Sequence, residues 1–172
     1  MDRMNLQARE VAIGPDMLQG ILGVPAGARG IVIFAHGSGS GRLSPRNNYV
    51  AARLRESGLA TLLLDLLVPK EENDRKYVFD IALLAERLKL ARDWTARTPE
   101  TAYLQPCYFG ASTGGGAAIR AAANDSRIAA IVSRGGRPDL AGQTALSQVK
   151  APTMLIVGGN DGPVIDLNIE AR

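Results

Sequence analysis

Between residues 30 and 157 the chain repeats one unit, a short and nearly unbroken apolar run followed by a segment whose apolar residues recur at helical spacing. The runs are Gly30–Ala35 (GIVIFA), Ala60–Leu64 (ATLLL), 106–109, 128–133 and 152–157. Strands buried on both faces read this way because neither face needs polar residues. Between the runs, Pro45–Glu56 carries Tyr49, Val50, Ala52 and Leu54 and is followed by Gly58, where a helix C-terminus favours glycine. Residues 77–97 carry Val78, Ile81, Leu84, Leu88, Ala91 and Trp94 and predict one long amphipathic helix after a charged connection at 70–76. Residues 113–123 and 140–149 predict shorter helices. Ahead of the repeat, 6–13 and 18–24 predict a hairpin across the turn-forming Gly14, Pro15 and Asp16. The alternation predicts an α/β fold: a mostly parallel sheet built through right-handed crossovers, helices on both faces, and a β-hairpin at its N-terminal end. No low-complexity tract or domain linker interrupts this alternation, so residues 1–172 read as a single domain.

Composition narrows the function classes. At 46% apolar and 22% charged, the chain is too apolar for disorder. The 20 Lys and Arg residues against 17 Asp and Glu are scattered, with no basic stripe for nucleic acid. The longest apolar stretch, 62–68, contains Asp65 and falls far short of the roughly 20 residues that span a bilayer. Residues 1–10 hold four charges and no apolar signal core, and the lone Cys107 cannot form an internal disulfide. A soluble, cytoplasmic protein is the simplest expectation. No metal-ligand cluster or cofactor fingerprint stands out, so no cofactor and no metal are expected.

The chemistry concentrates at Gly110-Ala111-Ser112-Thr113-Gly114. It matches G-x-S-x-G and falls between a predicted strand and a predicted helix, the context of a nucleophile elbow. Such a turn lifts a serine hydroxyl above the sheet and aims the following N–H groups at the same point. So short a pattern also arises by chance, with the glycines serving only close helix packing. His36-Gly37-Ser38-Gly39-Ser40-Gly41 follows the strand Gly30–Ala35, where an H-G loop supplies a second oxyanion donor; the Ser38 N–H is the candidate. Its glycines also suit a phosphate cradle, but the dinucleotide spacing and the P-loop lysine are missing. Asp161, in Gly158-Gly159-Asn160-Asp161-Gly162, sits at the carboxyl end of a late strand, either as a triad acid or as the cap of a helix starting near Pro163. Arg42, Arg46, Arg134 and Arg137 lie in loops at the ligand-binding edge of such a sheet and suit either an anionic substrate or structural pairing.

Residues 36–45 (HGSGSGRLSP), 60–67 (ATLLLDLL), 109–114 (FGASTG) and 133–140 (SRGGRPDL) together resemble the α/β hydrolases related to dienelactone hydrolase, including forms fused to phosphoribosyltransferase domains. The resemblance covers nearly the whole chain. It implies hydrolysis of an ester, thioester or lactone through an acyl-enzyme, with Ser112 attacking, the Ser38 and Thr113 N–H groups as oxyanion hole, and Asp161 orienting the base. Dienelactone hydrolase itself carries cysteine at the elbow, so serine here separates family name from substrate. Cys107, three residues before Gly110, reads as a buried small hydrophobe.

The family also implies a last strand, a catalytic histidine and a closing helix after the acid, whereas this sequence reaches Arg172 with His36 as its only histidine. The expected sheet therefore lacks that last strand and helix. His36, ahead of the oxyanion loop, is expected in a structural or substrate-contacting role, with the general base unassigned. Three functional expectations follow: a weakly active serine hydrolase of carboxylic esters or lactones, a non-catalytic remnant binding a small acyl or anionic ligand, and phosphate binding on the glycine loop alone. An uncovered strand at 152–157 would recruit a second copy, giving a homodimer.

Overall fold

The computed structural model describes residues 8–172. Arg9–Ile13 (β1) and Leu18–Gly23 (β2) form the antiparallel hairpin; the part of the expected first strand before residue 8 lies outside the described residues. The remaining strands are Gly30–Ala35 (β3), Ala60–Leu64 (β4), Gln105–Ala111 (β5), Ile131–Arg134 (β6) and Thr153–Ile156 (β7). All seven form one sheet in the order β1-β2-β4-β3-β5-β6-β7, parallel from β4 to β7 and antiparallel at β1 and β2.

The helices are Pro45–Glu56 (α1), Arg75–Val78 (α2), Ile81–Arg97 (α3), Thr113–Ala122 (α4), Gln143–Gln148 (α5) and Gly162–Glu170 (α6). The alternation of side chains along each strand feeds two cores. Ile31, Ile33 and Ala35 of β3 join Leu62, Leu64 and Tyr108 in the larger one, with Leu84 and Leu88 of α3 and the alanines of α4. Val32 and Phe34 join Leu63 and Phe109 in the smaller one, covered by Ala51 of α1. Helices therefore lie on both faces, and each fully buried side chain such as Ile33 or Phe34 contributes about 1.5–3 kcal/mol.

Local caps override periodicity in two places. The predicted helix 77–97 is two helices, because the Asp80 carboxylate accepts the Leu83 N–H at 3.0 Å and restarts the chain as α3. The predicted helix 140–149 is a 3-10 turn, Pro138–Ala141, and α5, separated by Gly142 at φ +85°. β6 starts at Ile131 rather than 128: Ile128 is buried in the core but sits in the preceding turn. At the β7 edge, Met154 and Ile156 share the face of Val132 and Arg134 and remain 60% and 44% exposed. No helix among the described residues is long and apolar enough to cross a membrane.

Candidate active site

β5 ends at Ala111 and α4 begins at Thr113, so a single residue makes the turn. That residue is Ser112, at φ +52° and ψ −123°, a conformation that costs an L residue about 1–3 kcal/mol. The turn is this sharp because α4 is pressed onto the strand ends. A Cβ on Gly110 would lie 2.6 Å from the Gly115 Cα, and one on Gly114 would lie 2.6 Å from the His36 carbonyl oxygen. The Ser112 carbonyl accepts N–H groups from Gly115 and Arg137, both at 3.0 Å, which ties the turn to the loop after β6. The Ser112 side chain is exposed, and its Oγ has no hydrogen-bond partner among the described residues.

The loop after β3 lies against this turn. A Cβ on Gly37 would come within 2.9 Å of the Ser112 Cβ, so only glycine admits the contact. Neither the Ser38 N–H nor the Thr113 N–H has a hydrogen-bond partner among the described residues. Thr113 opens the ten-residue α4, whose aligned peptide dipoles favour negative charge at that end. Two amide donors unpaired among the described residues, one following Ser112 in sequence and one following the Gly37 that packs against it, suit an oxyanion next to Ser112.

His36 is built into the backbone. Its Nε2 accepts the Leu66 N–H at 2.9 Å and its Nδ1 lies 2.9 Å from the Gly37 carbonyl, which fixes the neutral tautomer with the proton on Nδ1. Burial pushes its pKa below the ordinary 6.5, overriding the pull of the Gly37 carbonyl, Asp65 and Glu72. The unfolded chain thus binds a proton more readily than the folded one. Stability is full above pH 6.5 and is lost as pH falls through that value toward the lower folded pKa. Urea titrations across pH 5–8 are expected to show this slope, and His36→Gln, which keeps a donor and an acceptor, is expected to flatten it.

Asp161 precedes α6 as its cap residue, but its carboxylate makes no capping hydrogen bond and is exposed. It follows the end of β7 by five residues, and β7 lies two strands beyond β5 in the sheet. Arg42 is engaged by Asp65, which accepts its backbone N–H and its Nη1, each at 2.5 Å. Arg134 donates to the Asn47 Oδ1 at 3.0 Å and stacks over the Phe109 ring. Burial and the neighbouring Arg46 charge lower its pKa. Arg137 pairs with Asp139 at 2.7 Å. Cys107 is partly buried, and burial raises its thiol pKa, which disfavours a reactive thiolate.

An open cleft of about 540 Å³ runs from the Ser38 loop and Thr113 to the loop after β4, where Leu67, Glu72 and Asn73 form its far wall. That wall carries no sequence pattern. It is held from behind by the buried Arg87, which donates to the Leu66 carbonyl at 2.7 Å and to both oxygens of Glu71 at 2.6 and 3.1 Å. Among the described residues no group of three or more His, Cys, Asp or Glu side chains is placed to hold a metal.

No protein-family profile matches the chain. A crystal structure of dienelactone hydrolase from Anabaena variabilis superposes with a TM-score of 0.90 at 57% identity, over 96% of this chain and 78% of that one. This chain belongs to the dienelactone hydrolase family. Two Mycobacterium tuberculosis proteins, from strains CDC 1551 and H37Rv, are 57% identical over 164 residues. Both are provisionally named phosphoribosyl transferases, and the match covers 95% of this chain but 37% of their length. More distant members of the fold include a dienelactone hydrolase-like promiscuous phosphotriesterase from metagenomic libraries, at 20% identity and a TM-score of 0.76. It covers 96% of this chain and 75% of that one. A Pyrococcus furiosus esterase follows at 17% identity and a TM-score of 0.69, over 97% and 78%. Those two identities speak to fold alone. The family and the α/β-hydrolase fold expected from the motif blocks are both present.

Proposed function

We propose that this dienelactone hydrolase relative is a serine hydrolase that cleaves carboxylic esters or lactones through an acyl-enzyme on Ser112. What supports the reading is the single-residue turn that holds Ser112 at φ +52° at the start of α4, with the Gly37 backbone packed against it and the Ser38 and Thr113 N–H groups unpaired among the described residues. Ser112 Oγ attacks the carbonyl carbon while the carbonyl oxygen takes the negative charge facing the two N–H groups; as the intermediate collapses the bond from carbon to the alcohol oxygen breaks, and the proton from Ser112 passes to that oxygen. Water then attacks the acyl carbon, the bond to Ser112 Oγ breaks, one water proton returns to Oγ, and the acid is released. Asp161, in the loop after β7, is the candidate acid that would orient a general base.

The base is not His36, whose two ring nitrogens are engaged by backbone. Without an activating base among the described residues the Ser112 hydroxyl is a weak nucleophile, so weak turnover is expected of this chain. A second reading, a non-catalytic domain holding a small acyl ligand in the same cleft, is favoured by the absence of any described hydrogen-bond partner for Ser112 Oγ. Hydrolysis of p-nitrophenyl acetate and butyrate separates the two. Wild type and His36→Gln are expected to exceed the buffer rate while Ser112→Ala falls to it with an unchanged unfolding midpoint. A wild type at the buffer rate favours the second reading.

The β7 edge, unpaired among the described residues, and its exposed Met154 and Ile156 form the proposed contact with a second copy. Light scattering at rising concentration is expected to show a dimer that Ile156→Lys returns to monomer.

A further inference from the structure

We infer that the cleft beside Ser112 prefers neutral or cationic esters to anionic ones and that Glu72 sets this preference, an inference that rests on the hydrolase reading above. The charged side chains lining the cleft are Arg42, Asp65 and Glu72. Arg42 and Asp65 cancel: the guanidinium and the backbone N–H of Arg42 occupy both carboxylate oxygens of Asp65. A second carboxylate, that of Glu10, lies 3.6 Å from the same guanidinium, so Arg42 has no charge to spare for an anionic substrate. His36 is neutral, with both nitrogens spent on backbone.

Glu72 is the charge left over. It is exposed and has no hydrogen bond or ion pair among the described residues. The loop that carries it is fixed, because the adjacent Glu71 accepts the Val68 N–H at 3.0 Å and is clamped by Arg87. The basic residues that would draw an anion lie elsewhere. Arg134 is spent on Asn47 and Phe109, and neither it nor Arg46 lines the cleft. A unit charge about 7 Å from a bound ion, through an effective dielectric of about 40, changes binding about sevenfold. It loses much of that effect in high salt.

The test uses three acetyl thioesters of similar size: acetylthiocholine as the cation, its 3,3-dimethylbutyl isostere as the neutral compound, and S-acetyl-3-mercaptopropanoate as the anion. Hydrolysis adds water across the thioester and releases acetate and free thiol, which is read directly. For wild type, kcat/KM is expected to favour the cation over the anion about tenfold or more, and Glu72→Gln is expected to reduce that ratio at least about fivefold while changing the neutral ester less than about twofold. A ratio unaltered by Glu72→Gln, with Ser112-dependent hydrolysis intact, overturns the inference and leaves the hydrolase reading standing. Calorimetric titration of acetylthiocholine into Ser112→Ala and into Ser112→Ala with Glu72→Gln needs no turnover. Weaker binding in the double variant supports the inference even if wild type hydrolyses nothing, in which case only the hydrolase reading fails. Equal binding in both overturns it.

Discussion

Gly114→Ala is expected to cost more than about 3 kcal/mol and to leave little folded protein at moderate urea. The added Cβ meets the Ala35 carbonyl and sits 2.6 Å from the His36 carbonyl oxygen. Both are backbone atoms, one ending the central strand β3 and the other opening the oxyanion loop. Neither yields like the end of a flexible side chain, so α4 must lift off the sheet or β3 must bend. The better helix propensity of alanine returns only about 1 kcal/mol. Gly159→Ala is the control: its Cβ meets nothing within 4 Å, and its unfolding midpoint is expected to stay near wild type. Urea denaturation followed by circular dichroism reads both.

Arg87→Met is expected to cost about 3–5 kcal/mol, the range for breaking a buried ion pair on one side. The Arg87 side chain is 7% exposed and that of Glu71 11%, so removing the guanidinium strands a carboxylate with little water and leaves the Leu66 carbonyl unpaired. Glu71→Gln in the same background is expected to recover part of the loss, because the stranded charge is gone. The Arg87 hydrogen bonds hold the Glu71 carboxyl below the usual carboxylate range, outweighing its burial. The stability from the pair is therefore present at neutral pH and is lost as pH falls through that depressed value. The same substitution frees the wall that carries Glu72 and Asn73, so substrate selectivity is expected to blur in parallel with stability.

Elements whose signals are contiguous were legible in the sequence. Gly30–Ala35, Pro45–Glu56 and Ala60–Leu64 fall on the residues that the apolar runs, the proline start and the glycine stop point to. The strand, G-x-S-x-G and helix were readable together because the turn is made by consecutive residues. Periodicity failed where one side chain outranked it: Val78 and Ile81 fit a single helix, yet the Asp80 carboxylate caps the Leu83 N–H between them. Gly142 likewise divides residues 140–149. The cleft wall was not legible, since Glu71 and Arg87 are 16 residues apart and Arg42 and Asp65 are 23 apart. Scattered charges give no period, and only the fold decides which of them meet. Nothing in the run of Lys70, Glu71 and Glu72 shows that one carboxylate turns to Arg87 and its neighbour to the cleft.

The most direct test of Ser112 as nucleophile is prolonged exposure to a fluorophosphonate probe followed by peptide mapping, since covalent capture stops at the first attack and accumulates even when turnover is slow. The predicted result is one adduct per chain, on Ser112, from folded wild type and none from Ser112→Ala. Folded wild type that takes no probe, or carries it on another residue while Ser112 stays free, would contradict the account.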